Sequence, residues 1–497
     1  MHRREFFKVF GLSSAGLALS ATQLGTVLAQ VPSGAFSPDT RDPVSHVLNR
    51  MGFGPTPDLY EYANRIGVDA YIEEQLAAAG DDAVLEQLIE RRLPIMNMTT
   101  ADIFERYRDK RGDVVEALIG STLIRAILTA NQLHEVMVHF WSNHFNIYIN
   151  KEASVFLKVA DDRDVIRPHA LGKFRDLLRA SATSPAMLFY LDNAQSTGQE
   201  PNENYGRELL ELHTLGVDGG YTEEDVKQAA LAFTGWSIVP PRELEARNDV
   251  EVGEFLFRGR AHANGPKTVL GVQLPGNGMA DGEAVIDLLA SHPSTARHIS
   301  EKLVRRFVSD DPPEALVNAA AETFLQSDGD IKAVLRTILT SDAFWNAPPK
   351  FKQPFELVIG LLRGLSYVAR NDDRLGRGMA QALQQMGHMP FMWPAPNGYP
   401  DDGRYWMNNL LPRWNLPISL LSDNRIGQPD YDRLAALAQT GDGDPFDALM
   451  HYFIGRSLTD AEQQVVSDFA AQVPGNDDAK TVASVALVLA SPAYQYR

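Results

Sequence analysis

The stretch Asn202–Gly216 carries the densest set of side chains able to do chemistry in this chain. Glu208 and Glu211 stand at i and i+3, so a helix would place their two carboxylates next to each other. Such a pair binds a cation, or divides acid and base work where its surroundings separate the two pKa values. Arg207 beside Glu211 would keep one carboxylate ionised, and Asn204 lies on the same stripe. We therefore predict Asn204, Arg207, Glu208 and Glu211 as catalytic residues; the alternative is a buried charge network that clamps helices together.

The same stretch has the end signals of a short helix. Asn204 is predicted to cap it by accepting from a free backbone N–H, and Gly216 to end it in the left-handed conformation. Tyr205, Leu209 and Leu212 fall on one apolar stripe. The helix should therefore pack on one side and present polar side chains on the other.

A second polar set lies within a long run of helical periodicity. His134 and His139 are five residues apart, which excludes the zinc-protease pattern because that pattern needs histidines four apart on one face. His139 shares a face with Glu135 and Asn143, which is typical of a buried histidine with a structural partner. Asn143 and His144 stand at the predicted helix end, where open sites are commonly built, so both join the catalytic candidates.

The segment Arg258–Lys267 places a histidine and a lysine five residues apart between two predicted strands. Loops with such groups often line sites. We predict His262 and Lys267 as substrate-binding residues, together with Trp236, which follows the preceding helix.

The amino terminus has the pattern of an export signal. Arg3 and Arg4 precede an apolar pair and a lysine, as in the twin-arginine consensus. A moderately apolar run follows, and small residues near Ala29 suit a signal peptidase, so cleavage is expected there. We predict a periplasmic or secreted protein. No later run is long and apolar enough for a stable membrane span.

Composition excludes several classes of function. The chain has no cysteine, so disulfides, iron–sulfur clusters and cysteine nucleophiles are ruled out. The formal net charge of -18 argues against nucleic acid as a partner, because phosphate repulsion would have to be overcome. The sequence identifies no cofactor, and whether a metal is bound stays open.

Helical periodicity dominates the rest of the chain, with a break expected at Asn131. We predict a mainly α fold, a large multi-helix assembly with a small β-hairpin or sheet insertion. Its divisions are an export signal (1–29), an N-terminal helical region (30–236), the β insertion (237–278) and a C-terminal helical region (279–497). Gly387–Gly403 is too long and aromatic for a simple connector, so we expect an ordered functional loop there.

Several motifs stand in a fixed order along the chain. They are Trp141-Ser-Asn-His-Phe145, Leu191-Asp-Asn193, Pro201-Asn-Glu-Asn-Tyr-Gly-Arg-Glu-Leu-Leu-Glu-Leu-His-Thr-Leu-Gly216, Tyr221-Thr-Glu-Glu-Asp-Val226, Phe233-Thr-Gly-Trp236, Lys267-Thr-Val-Leu-Gly271, Lys302-Leu-Val-Arg-Arg-Phe-Val308, Met386-Gly-His388 and Pro396-Asn-Gly-Tyr-Pro400. With them the chain resembles the bacterial exported family catalogued as domain of unknown function 1800. The resemblance covers nearly all of the sequence after the signal.

This resemblance implies a secreted or periplasmic, largely helical protein. It also implies a neighbour, because such proteins are often encoded beside a co-exported protein of the sulfatase/phosphatase-like type. The chain departs from the family pattern at four positions: Ser142 replaces a histidine, Ala263 an aspartate, His213 a phenylalanine and His388 a glutamine. These departures weaken the expectation of a metal site.

Two functions remain open on the sequence. The first is a periplasmic hydrolase-like or metal-assisted enzyme, whose site would join the helix end at His144, the helix of Glu208 and Glu211, and the loop of His262. The second is a non-catalytic helical scaffold that escorts a co-exported partner, with the aromatic loop Gly387–Gly403 as the contact surface.

Overall fold

The computed structural model describes residues 40–240, 250–422, 425–439 and 444–497. These residues form a mainly α fold with three small two-stranded antiparallel sheets, which confirms the predicted fold class. The predicted export signal, residues 1–29, lies outside the described residues. Within the described ranges, no helix combines the length and the apolar character needed to cross a membrane.

The first half of the chain is a series of short and medium helices. Their bounds are α1 Pro43–Arg50, α2 Pro57–Ile66, α3 Val68–Ala77, α4 Ala83–Arg92, α5 Thr100–Tyr107, α6 Arg111–Leu128, α7 Gln132–His144, α8 Ser154–Ala160, α9 Arg167–His169, α10 Phe174–Ala182, α11 Pro185–Tyr190, α12 Glu203–Glu208 and α13 Glu223–Ala232. Two π-helical turns, Asp161–Ile166 and Leu209–Thr214, extend α8 and α12.

Local sequence signals set several of these helix ends. Thr56 caps α2 by accepting from the Leu59 N–H, and Thr222 forms a capping box with Asp225 at the start of α13. Asn131 separates α6 from α7. Gly216 takes a left-handed φ of 83° after the π turn that follows α12, as expected for a residue without a Cβ.

The predicted cap of α12 was wrong by two residues. Asn202, whose backbone is extended, is the N-cap, and its side chain accepts from the Asn204 N–H at 2.9 Å. Asn204 already lies inside the helix, where its side chain no longer faces the free N–H groups of the first turn. Its amide instead points toward the Leu191 carbonyl at 3.4 Å.

The predicted β insertion holds two hairpin-like pairs. β1 (Trp236–Ile238) pairs with β2 (Phe255–Phe257), and β3 (Thr268–Val269) pairs with β4 (Val272–Gln273). A third pair, β5 (Val368–Ala369) with β6 (Gly427–Gln428), was not predicted. Its strands have only two residues each, too few for an alternating pattern to be visible in the sequence.

The remaining helices complete the structure. Their bounds are α14 Met279–Ala290, α15 Pro293–Phe307, α16 Glu314–Gln326, α17 Ile331–Leu339, α18 Asp342–Trp345, α19 Pro354–Gly364, α20 Asp372–Gln385, α21 Gly403–Trp406, α22 Leu410–Ser422, α23 Tyr431–Ala438, α24 Pro445–Ile454, α25 Asp460–Gln472 and α26 Asp477–Leu489.

One apolar core joins the two predicted helical regions. The largest cluster of buried apolar side chains extends from Val44 near the start to Tyr494 near the end. Every residue of α19 is buried, and α7 is buried along most of its length. Burial all round a helix is typical of a central position in a core. The end of α7, with its histidines, is therefore held by packing on several sides.

Candidate active site

A cavity of about 240 Å³ lies between the end of α7, the last turns of α15 and residues 397–401. We call it the α7–α15 cavity. Its lining is rich in polar and basic side chains: His139, Phe140, Asn143, His144, Lys302, Arg305, Arg306, Gln353, Asn397, Gly398, Tyr399, Pro400 and Asp401. Parts of three family-like motifs of the sequence, around Trp141, Lys302 and Pro396, meet here.

The periodicity of α15 places its basic side chains at the cavity. Leu303 and Phe307 are buried in the core. Lys302, Arg305 and Arg306 stand at i, i+3 and i+4, so they share the neighbouring side of the helix and line the cavity. Basic residues are also favourable in the last turn of a helix because they face its free carbonyl groups.

Asn143 fixes the aromatic loop over the end of α7. Its amide donates to the Tyr399 carbonyl at 2.8 Å, and its Oδ1 accepts from the Tyr399 N–H at 2.7 Å. Gly398 has φ 69°, and a Cβ there would come within 2.2 Å of the Asn143 carbonyl oxygen. Asn146 donates to two further carbonyls of the loop, those of Trp393 and Ala395. The predicted ordered loop is thus one wall of the cavity, and Asn143 positions it.

His144 is buried, and both of its ring nitrogens have partners. Nε2 lies 3.1 Å from the carbonyl oxygen of His213, which only accepts, so Nε2 carries the proton. Nδ1 then accepts a hydrogen bond from Lys302 Nζ at 2.8 Å. Burial, followed by the charge of Lys302, lowers the pKa of His144 well below its usual value. The imidazole is therefore a neutral acceptor with a fixed orientation.

Lys302 has an unusual environment for a lysine. His144 is the only side chain to which it hydrogen bonds among the described residues, and none of their carboxylates forms an ion pair with it. Burial lowers the pKa of Lys302 to about 8; Arg305 adds to this effect, and Asp401 opposes it. An amine with such a pKa is present in both protonation states near neutral pH, as acid–base catalysis requires.

The other charges near the cavity are paired with one another. Arg306 and Arg497 both contact Glu356, at 2.6 and 3.0 Å. Lys350 lies 3.2 Å from Asp401. Burial alone would raise the pKa of Asp401, but Lys350 and the two arginines hold it well below the usual range. Asp401 is thus a fixed negative charge that already has a cation beside it.

His139 also contacts the cavity, and its ring packs against aromatic side chains. Its ring centroid stacks on Phe355 at 4.6 Å and lies 5.8 Å from that of His388. Burial, with the nearby charge of Arg306, lowers the pKa of His139 to about 4. These surroundings match the predicted structural histidine, although its partners are aromatic rings rather than Glu135 or Asn143.

The two carboxylates of the predicted catalytic helix are outside the α7–α15 cavity. Glu208 is half-buried, and burial together with Glu211 raises its pKa. Glu211 accepts from the Tyr221 hydroxyl at 3.2 Å. The structure links this helix to the cavity through the His213 carbonyl, which accepts from His144, and not through the carboxylates.

Arg207 and Asn204 lie toward the solvent. Arg207 makes a two-point ion pair with Glu223 of α13, at 2.7 and 2.8 Å, and a longer contact of 3.5 Å with Glu203. Its ion-pair partners are thus Glu223 and Glu203, and not Glu211, beside which the sequence analysis expected it. Asn204 is exposed.

The predicted substrate-binding residues His262, Lys267 and Trp236 are all buried. Lys267 Nζ contacts Asp281 of α14 at 2.7 Å, and His262 Nε2 lies 3.2 Å from the same carboxylate oxygen. His262 Nδ1 donates to the Thr234 carbonyl at 2.8 Å. The group formed by His262, Lys267 and Asp281, the insertion network, therefore fastens the β insertion to α14 in a closed interior.

Two further histidine rings lie near that of His144. The ring of His144 lies 6.0 Å from that of His213 and 6.4 Å from that of His298, measured between centroids. No group of three histidine, aspartate or glutamate side chains is placed to hold a metal ion in the part of the chain that the structure describes. Both nitrogens of His144 are already engaged, which fits a role in positioning Lys302 better than a ligand role.

The sequence reasoning missed Lys302 as a functional residue. Its segment was noted only as part of a family motif. Basic residues at the end of an amphipathic helix are common for reasons of helix stability alone. Only the fold, which brings His144 from α7 against α15, distinguishes Lys302 from its neighbours.

The fold and site together define a mainly helical protein with a polar cavity built around a lysine–histidine pair. Residues 46–496 match the family described as "Protein of unknown function (DUF1800)", and the chain belongs to this family. No curated protein and no solved structure matches the chain.

Proposed function

We propose that this protein is a hydrolase-like enzyme that uses Lys302 as its acid–base group in the α7–α15 cavity. One observation carries the proposal: the Lys302 amine lies in a cavity wall 2.8 Å from a neutral, oriented histidine, and no carboxylate of the described residues pairs with it. Lys302 is partly buried, and lysines that serve only structure are normally solvated or paired, since withdrawing an unpaired ammonium from water is costly.

The geometry suits general base catalysis. When Lys302 is neutral, one N–H donates to His144 Nδ1, which holds the amine in place and leaves its lone pair for a proton from the cavity. A water that loses this proton attacks the electrophilic centre of the substrate. The resulting ammonium then returns the proton to the leaving group. His144 acts here as a positioning residue, and general base catalysis of this kind contributes roughly 100- to 10,000-fold.

Export by the twin-arginine route is part of the proposal. It is supported by Arg3 and Arg4, by the apolar run that follows them, and by the resemblance of the chain to exported proteins. Replacing both arginines by lysine should leave the unprocessed chain in the cytoplasm. Release of the mature chain by that variant would contradict the assigned route.

A substrate panel tests the enzyme proposal. The purified chain is assayed at pH 8.5 against 4-nitrophenyl acetate, phosphate, sulfate and glucoside. We expect activity toward at least one class, and a loss of at least about 100-fold in kcat/KM in Lys302→Met. Lys227→Met, at an exposed position of α13, is the matched control and should behave as wild type.

Two results would contradict the enzyme proposal. One is equal activity of Lys302→Met and wild type toward every hydrolysed substrate. The other is a folded wild-type chain that hydrolyses none of the four classes, which would favour the scaffold that escorts a co-exported protein.

A further inference from the structure

The charge at the α7–α15 cavity is opposite in sign to that of the chain. The whole sequence has 46 basic and 64 acidic residues. The charged side chains in the lining of the cavity are instead Lys302, Arg305 and Arg306 against Asp401 alone. A positive, partly enclosed surface on an acidic protein focuses the field and concentrates anions.

Asp401 offsets only part of this positive charge, because it is shared with Lys350. It lies 3.2 Å from Lys350, and its Oδ1 also accepts from Gln353 at 2.9 Å. Arg306 is buried and paired with Glu356. Lys302 therefore remains without a carboxylate partner in the described residues.

Arg305 is the basic residue best placed to meet a ligand. Its side chain is about one-third exposed, at 33%. Nη2 donates to Glu301 at 2.8 Å and Nε lies 3.4 Å from the Asp310 carbonyl. Nη1 has no partner among the described residues, so it is available to a ligand. The contacts made by Nη2 and Nε hold the guanidinium in place, which lowers the entropy cost of binding.

We propose that the α7–α15 cavity recognises an oxyanion group of the substrate (a phosphate, sulfate or carboxylate) through Arg305. Arginine suits planar or tetrahedral oxyanions because its N–H groups fork toward two oxygens. The volume of about 240 Å³ accommodates such a group together with the part of the substrate attached to it. This inference rests on the proposed function, since it names the substrate class of the same site.

Anion titration of the full-length protein tests the inference without any turnover. Thermal unfolding is followed while sodium sulfate, sodium phosphate or sodium acetate is added, against sodium chloride at the same ionic strength. A ligand that binds only the folded state raises the unfolding temperature in a saturable way. We expect saturation with at least one oxyanion, and the three arms identify which chemistry is preferred.

Two variants of the same helix make the test specific. Arg305→Gln should raise the Kd for that anion about tenfold or more, because the substitution removes a charge-assisted hydrogen bond. Arg297→Gln is the matched control: Arg297 is an exposed arginine of α15 that pairs with Glu314 and does not line the cavity. It should bind the anion as wild type does.

The inference is overturned if none of the three anions exceeds the chloride control, or if Arg305→Gln and Arg297→Gln have the same Kd. Its failure is distinct from failure of the proposed function. Hydrolysis that depends on Lys302 but occurs without oxyanion binding would overturn only the present inference. Oxyanion binding without hydrolysis of any panel substrate would overturn only the enzyme proposal.

Discussion

Two lysine–histidine contacts in this molecule differ in one partner. In the insertion network, Lys267 lies 3.4 Å from His262, and Asp281 contacts both, at 2.7 and 3.2 Å. In the α7–α15 cavity, Lys302 lies 2.8 Å from His144, and none of the described carboxylates pairs with it. The first contact is closed and buried, whereas the second lines a cavity.

The comparison teaches that the third partner decides what a lysine–histidine pair does. A carboxylate neutralises the ammonium, and the resulting ion pair stabilises the contact between two secondary-structure elements. Although burial alone would raise it, hydrogen bonds from Lys267, the Asn277 N–H and His262 lower the pKa of Asp281, so the carboxylate stays ionised. Without a carboxylate, burial lowers the pKa of the lysine instead, and the amine is left able to exchange protons.

The largest expected effect on stability comes from removing the Asp281 carboxylate of the insertion network. Asp281→Asn leaves Lys267 buried without its counter-charge, so we expect a loss of about 3–5 kcal/mol in the free energy of unfolding, measured by urea denaturation. Asp287→Asn on the same helix is the control. Asp287 pairs with Arg175 at the surface, so its loss should cost about 1 kcal/mol or less. An equal loss in the free energy of unfolding for the two variants would mean that the insertion network does not stabilise the fold.

The second prediction concerns Lys302, which Lys302→Met removes from the α7–α15 cavity. The pKa of Lys302 is lower in the folded chain, about 8, than in the unfolded chain. Between about pH 8 and 10, Lys302 therefore binds more protons in the unfolded state than in the folded state. The free energy of unfolding consequently rises with pH across this range. We expect wild type to gain on the order of 2 kcal/mol relative to Lys302→Met across this range. A pH-independent difference between the two proteins would show that the lysine pKa is ordinary.

A smaller effect is expected at the wall of the cavity. Asn143→Ala removes both hydrogen bonds to the Tyr399 backbone, at a cost of about 1–2 kcal/mol in stability. The loop should then be cut faster in limited proteolysis, and kcat/KM should fall about tenfold because the cavity wall is displaced. Asn150→Ala is the control, because the Asn150 side chain donates a hydrogen bond to the Met392 sulfur and not to the backbone of this loop in the described contacts. Similar proteolysis of the two variants would refute the positioning role.

The smallest effect is expected at Glu208. Burial and the charge of Glu211 raise its pKa, so the ionised form of Glu208 costs stability in the folded chain. Glu208→Gln should leave stability unchanged or raise it by less than about 1 kcal/mol, and kcat/KM should change by less than about twofold, since Glu208 does not line the cavity. A loss of activity in Glu208→Gln at unchanged stability would instead place the active site at the helix of Glu208 and Glu211, as first predicted from the sequence.

Elements that depend on local signals were predictable. Thr56, Thr222 and Gly216 set helix ends through their own backbone neighbours, and the sequence around them was sufficient. The order of helices and the small insertion followed from periodicity in the same way. The cavity could not be predicted, because His144 and Lys302 are 158 residues apart in the chain and meet only through packing of α7 against α15.

The predicted site residues show the same difference between local signals and contacts that only the fold creates. Asn143 and His144 were selected because they end a buried helix, and the structure places both at the cavity. Glu208 and Glu211 were selected for their spacing alone, which fixes their mutual distance but not what faces them. His262 and Lys267 had the right residue types, and only the distant Asp281 turns them into a closed group.

The reactivity of Lys302 toward an acylating reagent tests the central claim most directly. The folded full-length chain is labelled with trace acetic anhydride from pH 6 to 11, and each lysine is quantified by peptide mass spectrometry. The account predicts that Lys302 is labelled with a midpoint near pH 8, while Lys267 stays protected in the folded protein. A Lys302 midpoint near the ordinary value of about 10.4, or protection equal to that of Lys267, would contradict it.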